Sequence, residues 1–172
     1  MITVIRSVVS GQYGAALSML RGCVECADPM TWQAAVGNFP FWHVAYHTLY
    51  YTDLYLSPDE HAFHPQLFHR EGYNYLGPQP WAADIQVVVD RPYHKGTLVA
   101  YLDICRAKAK KTMESETETT LVEPSGFSWL EFTRLESHLY NLRHLQHHTG
   151  QLNAVLRRQI GEGVDWVKSE PL

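Results

Sequence analysis

Apolar side chains recur every three or four residues in four long stretches of the chain, which is the spacing of amphipathic helices. The pattern predicts helices over residues 3–26, 38–56, 94–114 and 128–160. Pro40 near the start of the second stretch and Gly161 after the last one are typical of helix ends. Four long helices without a convincing strand predict an all-α four-helix bundle.

The segment between the second and third predicted helices, residues 57–93, has no sustained period of either kind. It is rich in proline and aromatic residues, among them Phe63, Phe68, Tyr73, Tyr75 and Trp81. Because aromatic rings are favourably buried, we expect an ordered loop that shapes either a cleft or a contact between two copies of the chain. Residues 85–89 are apolar enough for a short strand, but the sequence offers it no partner.

Length and composition narrow the class of protein. A chain of 172 residues suits one domain, residues 1–172. The net charge of -4 argues against nucleic-acid binding, which needs a basic surface. No stretch approaches the roughly 20 apolar residues that cross a bilayer, and the N-terminus lacks the pattern of a signal peptide. We therefore expect a cytoplasmic protein that contacts neither membrane nor nucleic acid.

The three cysteines, Cys23, Cys26 and Cys105, fit a reducing compartment better than a disulfide framework. Cys23 and Cys26 form a CxxC pair. A metal or redox role for that pair is disfavoured, because no second pair and no preceding strand accompany it.

The last predicted helix carries polar residues where a core-facing stripe is expected. At about 100° per residue, one stripe contains Ser137, Asn141, His144, His148, Gln151 and Val155. His144 and His148 lie one turn apart on the same side of the helix, a spacing at which two imidazoles can bind one ion. A single histidine on a helix face is usually structural, and two histidine ligands alone would bind an ion only weakly.

A further ligand is needed, because protein metal sites usually have three or more. His43 and His47 of the second helix are also four residues apart. We choose His47, which lies deeper in the helix, and keep His43 as the substitute. His147 lies about 60° from the ligand stripe and is expected at the rim. The other histidines are interpreted as structural or solvated: His138, His61, His64, His69 and His94.

Residues 143–152, RHLQHHTGQL, resemble the HxxHHxGQ signature in the last helix of the DinB/YfiT-like superfamily. Residues 42–47, WHVAYH, resemble its second helix, and residues 98–110 resemble its third. The likeness spans nearly the whole chain. It implies an up-down-down-up bundle with a long crossover between helices 2 and 3, which is often dimeric and carries a divalent ion on three histidines.

By motif position those histidines would be His47, His144 and His148. The sequence departs from the family pattern at Thr149, where arginine or another polar residue is common. It also has two histidines in the second helix, which keeps His43 open as the third ligand. Zinc or nickel is the expected ion, with iron or manganese as alternatives, since imidazole suits several of these metals.

Three neutral imidazoles leave an ion with open positions, which is typical of a catalytic site. The resemblance implies a transferase or isomerase that uses a low-molecular-weight thiol such as bacillithiol or mycothiol. We expect a thiol S-transferase that acts on a small electrophilic substrate in detoxification, and a homodimer. Two alternatives stay open: a hydrolase using activated water, helped by Asp53, Asn141 or Glu136, and a non-catalytic metal-binding stress-response protein.

Overall fold

The computed structural model describes residues 1–78 and 87–172, and this part of the chain is mostly helical. Four long helices dominate: α1 (Ile2–Cys26), α3 (Phe41–Tyr55), α4 (Lys95–Ser115) and α6 (Arg134–Ile160). Two short helices, α2 (Pro29–Gln33) and α5 (Glu118–Val122), lie in the connections. The strands β1 (Ala35–Val36) and β2 (Phe39–Pro40) form a small antiparallel pair. The prediction of a helical protein is confirmed.

The observed start of α6 differs from the prediction. It begins at Arg134, six residues after the predicted start, because Thr133 caps it by accepting a hydrogen bond from the backbone N–H of Glu136 at 3.4 Å. Before the cap, the Ser125 hydroxyl donates to the carbonyl of Leu130 at 2.9 Å and keeps the chain in a turn. The apolar residues of this turn, which suggested a longer helix, instead pack beside α3.

The two short helices were not predicted as helices, although their first residues carry capping signals. Asp28 accepts a hydrogen bond from the N–H of Thr31 at 2.7 Å, and Pro29 occupies the first helical turn of α2. Thr117 and Thr120 form a reciprocal capping box at the start of α5. Both helices are five residues long, too short for the hydrophobic period to be visible in the sequence.

The core lies between the four long helices. α1 packs against α4 and α6, and α3 packs against the same two helices. One leucine from each helix marks the centre, and all four are at most 1% exposed: Leu20, Leu49, Leu102 and Leu145. This packing brings α3 and α6, the two helices that carry the paired histidines, side by side.

The segment between α3 and α4 packs on the helices. The Tyr93 ring stacks on the Tyr46 ring of α3 with centroids 4.4 Å apart, and its hydroxyl donates to the carbonyl of Phe68 at 2.9 Å. Tyr73 is also buried. Residues 87–89 are not in a strand, and the rest of the predicted strand at 85–89, like Trp81, lies outside the described residues. In the part of the chain that the structure describes, no helix combines the length and apolar character needed to cross a membrane.

Candidate metal site

Three imidazoles meet where α3 lies against α6. His47 comes from α3, and His144 and His148 come from consecutive turns of α6. One ring nitrogen from each lies within 4.8 Å of the others, and the ring centroids are 4.6 to 5.1 Å apart. The group is well enclosed, since His47 and His148 each expose only 9% of their surface. This group has the donor set and the spacing to hold a metal ion.

Hydrogen bonds orient two of the three rings. His47 donates from Nδ1 to the backbone carbonyl of Asn74 at 2.6 Å, and His148 donates from Nδ1 to the side-chain oxygen of Gln151 at 2.8 Å. A neutral imidazole that donates from Nδ1 carries its lone pair on Nε2. Such bonds fix the tautomer and the orientation of metal-binding histidines. His47 and His148 therefore each offer Nε2 as a donor atom.

His144 completes the group. Its Nε2 lies 3.1 Å from Nε2 of His47. Two nitrogens bound to one ion at about 2.1 Å are about 3.0 to 3.4 Å apart, so this spacing fits a shared ion. Within the described residues, the buried Nδ1 of His144 has no hydrogen-bond partner. Within the same part of the chain, His144 therefore has no Nδ1 hydrogen bond of the kind that orients His47 and His148.

The environment keeps all three imidazoles neutral. Burial, with the neighbouring His148 and His147, lowers the pKa of His144 to about 3. Burial and the two facing imidazoles hold the pKa of His47 well below its usual range, and burial also lowers the pKa of His148. Neutral imidazole is the form that binds metal. The site is thus prepared for a cation.

Aromatic and imidazole rings line the group on two sides. The Tyr51 ring lies 4.8 Å from the His47 ring and 5.5 Å from the His144 ring, centroid to centroid. Burial raises the pKa of Tyr51 to about 12, so its hydroxyl stays protonated. On the other side, the exposed His147 ring lies 5.0 Å from His148. His147 thus occupies the rim position that the helical wheel predicts.

His43, the substitute for His47, lies elsewhere. It donates from Nε2 to the carbonyl of Tyr73 at 2.7 Å, and its ring packs 5.0 Å from Phe39 and 5.5 Å from Trp42. Burial lowers its pKa to about 4, so it is a neutral core residue. The structure brings His47 to the α6 histidines and keeps His43 one turn away, in the aromatic layer under the loop.

The three residues considered as helpers for a hydrolase have other contacts. Asp53 is buried and forms an ion pair with Lys108 at 2.5 Å, which ties α3 to α4. Asn141 donates to the carbonyl of Thr52 at 3.1 Å and so joins α6 to α3. Glu136 is exposed in the first turn of α6, two turns before His144. The contacts of Asp53 and Asn141 therefore support the packing of the helices, whereas Glu136 lies at the surface.

The remaining histidines and the CxxC pair lie outside the group. His138 donates from Nε2 to Glu116 at 3.1 Å, and His69 hydrogen-bonds Tyr46 at 2.6 Å. Cys23 is buried, which raises its pKa to about 12, whereas Cys26 is exposed. Of these remaining histidines, His61, His64 and His94 are exposed.

Sequence reasoning did not identify the two hydrogen-bond acceptors of the group. Gln151 lay on the predicted stripe of α6, and its spacing of three residues from His148 was a usable signal. The carbonyl of Asn74 left no signal, because any residue supplies a backbone carbonyl and only the path of the loop brings this one to His47.

Comparison with known families gave one match. A model described as the DinB superfamily matches residues 12–152, most of the chain. The matched region includes α3, α4 and the part of α6 that carries His144 and His148. Searches of curated proteins and of solved structures returned no match.

Proposed function

Because the chain belongs to the DinB superfamily, we propose that it is a metal-dependent enzyme that transfers a low-molecular-weight thiol to a small electrophile. The ligands of the divalent ion are His47, His144 and His148. One observation carries the proposal: His47 and His148 are each fixed through Nδ1, so that their Nε2 lone pairs meet beside His144. Three protein ligands leave positions for an exogenous molecule, as in catalytic sites.

The chemistry follows from the donor set and its surroundings. A divalent ion held by three neutral imidazoles would lower the pKa of a bound thiol, which would make the thiolate available at neutral pH. In the overall reaction the sulfur would form a bond to the electrophilic carbon, the leaving group would depart with its electron pair, and solvent would take the thiol proton. Among the residues of the chain, Tyr51 would form one wall for the reactants, since its ring lies against both His47 and His144.

The finer architecture belongs to the same proposal. We assign the four long helices to an up-down-down-up bundle, a topology that agrees with the packing of α1 and α3 against both α4 and α6. Zinc or nickel is the favoured ion, with iron and manganese as alternatives, since imidazole nitrogens suit zinc and nickel.

We propose a cytoplasmic homodimer. Val4 and Val8, which expose 66% and 58% of their surface one turn apart on α1, are candidates for its contact face.

The test follows conjugation and stability together. The protein is incubated with a model electrophile and, in turn, bacillithiol, mycothiol or glutathione, with and without a chelator, and its melting temperature is measured under the same conditions. We expect conjugation with at least one thiol, lost on chelation while the protein stays folded. A product of hydrolysis without thiol would favour the hydrolase.

Two variants locate the activity. His144→Ala removes a proposed ligand and should abolish conjugation. His147→Ala removes an exposed imidazole from the same helix and should retain it. Absence of conjugation with all three thiols would contradict the transferase. A large fall in melting temperature on chelation, without any turnover, would instead favour a metal-binding protein whose ion stabilises the bundle.

A further inference from the structure

A cavity lies at the end of the bundle where α1 finishes and α4 begins. As bounded by the described residues, its volume is about 640 Å³. Its walls come from α2, from the start of α4 and from two parts of the loop, residues 70 and 91–94. None of the three clustered histidines lines it. The cavity is therefore a separate feature that the metal site does not explain.

Cations dominate the lining of this cavity. Arg70, Arg91 and Lys95 lie around it, against one carboxylate, Asp28. The Asp28 carboxylate is already engaged, because it caps α2 through the N–H of Thr31. The chain as a whole carries a net charge of -4, so this concentration of positive charge is local and opposite in sign to the rest. A cationic recess in an acidic protein attracts anions.

Two of the cations are held in place by their other contacts. The Arg70 guanidinium lies 4.5 Å from the centroid of the Tyr93 ring and donates one N–H to the carbonyl of Arg91. Lys95 donates to the carbonyls of Glu25 and Ala27 at the end of α1. An ammonium has three N–H groups and a guanidinium five, so both retain donors for a ligand. The side chains are positioned before any ligand arrives.

The start of α4 adds to the positive potential. α4 is 21 residues long, and the structure describes no acidic side chain in its first turn and no side-chain hydrogen bond from its N-cap, His94. Free N–H groups and the helix dipole favour negative charge at such an end. His94 and Lys95, at this end, also line the cavity.

The remaining walls are apolar. Trp32 and Tyr93 are nearly buried, and the indole N–H of Trp32 donates to the carbonyl of Tyr93 at 3.0 Å, which fixes both residues. Pro29 and Pro92 complete this side. An occupant would therefore place an apolar body against these residues and a negative group against the cations.

We propose that this cavity binds a small molecule in which an oxyanion, a phosphate or a carboxylate, is attached to an apolar body. Arg91 is the side chain to test. Its side chain is 75% exposed, and its Nε lies 3.8 Å from a carboxylate oxygen of Asp90, so its replacement by glutamine removes a ligand contact without disturbing the core.

The experiment is a calorimetric titration with four probes. Phenyl phosphate and benzoate combine an apolar ring with the two oxyanions, benzamide is the uncharged counterpart of benzoate, and inorganic phosphate is an oxyanion without an apolar body. Each is titrated into the zinc-loaded wild-type protein, Arg91→Gln, His148→Ala and Lys168→Gln. Lys168 is an exposed cation that does not line the cavity.

We expect phenyl phosphate or benzoate to bind the wild type, His148→Ala and Lys168→Gln equally, and Arg91→Gln about tenfold more weakly. Benzamide should bind about tenfold more weakly than benzoate, or weaker still. Inorganic phosphate should bind more weakly than phenyl phosphate by the same factor or more. Equal affinity for Arg91→Gln and wild type would overturn the proposal, as would the absence of binding by all probes at millimolar concentration. Loss of binding in His148→Ala would place the anion at the histidines and overturn it as well.

Discussion

Glu116→Gln removes a buried carboxylate that joins the end of α4 to α6. Glu116 accepts hydrogen bonds from Arg134 at 3.0 Å, from His138 at 3.1 Å and from Thr120 at 2.7 Å. Arg134 is only 6% exposed and also donates to the carbonyl of Ser57 at 2.7 Å. The variant keeps the shape of the side chain but leaves this guanidinium without its counter-charge.

The size of the effect follows from the pKa of Glu116. Burial alone would raise that pKa, but the hydrogen bonds from His138, Thr120 and Arg134 outweigh burial and lower it from 4.5 to about 2. Since the folded pKa is depressed, the carboxylate stabilises the fold above pH 4.5, and this contribution is lost as the pH falls towards 2. At about 1.4 kcal/mol per pKa unit, it is worth about 3 kcal/mol at pH 7 and about 1 kcal/mol at pH 3.

Urea unfolding of both proteins at pH 7 and pH 3 measures this difference. A chelator is present throughout, because protonation of the histidines would otherwise release metal and add its own effect. Glu114→Gln, on the exposed side of the same helix, is the control and should change the free energy of unfolding by less than about 0.5 kcal/mol. A Glu116→Gln deficit that is the same at both pH values, or that is absent at pH 7, would refute the reasoning.

Three further predictions concern other contacts. Asp53→Asn leaves the Lys108 ammonium without the carboxylate that lies 2.5 Å from it, so we expect urea unfolding to show a loss of about 2 kcal/mol. Gln151→Ala removes the acceptor that orients His148, and a competition titration with a chromophoric chelator should show metal affinity about 10-fold to 100-fold lower. Val8→Asp places a charge on an exposed apolar position of α1; sedimentation should show monomers in place of the proposed dimers, with the helical circular dichroism spectrum unchanged.

The long helices could be predicted because their pattern extends over several turns. The third predicted helix, 94–114, differs from α4 by one residue at each end, and the first differs from α1 only at its start. The predicted start of α6 was wrong because Phe127 and Leu130, in the preceding turn, continue the apolar pattern of the helix. These two residues instead pack as a turn against Tyr55 of α3. Periodicity reports burial, and a buried turn resembles a helix in this respect.

The histidine cluster could be anticipated for the same reason. The spacing of four residues fixes His144 and His148 on one face of α6 whatever the tertiary structure. The choice between His43 and His47 depends on how α3 is rotated against α6, and periodicity left both possible. Packing places His47, and not His43, beside the α6 histidines, because the loop carbonyl of Tyr73 accepts a hydrogen bond from His43 while His47 faces α6. Contacts made by the aperiodic loop are non-local, and the sequence alone gives no rule for them.

The most direct test of the metal site is the metal content of protein purified without a nickel column, measured by elemental analysis. His148→Ala removes one of the three proposed ligands, and His147→Ala removes the exposed imidazole beside it as a matched control. We predict one divalent ion per chain in the wild type and in His147→Ala, and little or none in His148→Ala. One ion per chain in His148→Ala would contradict the proposed site.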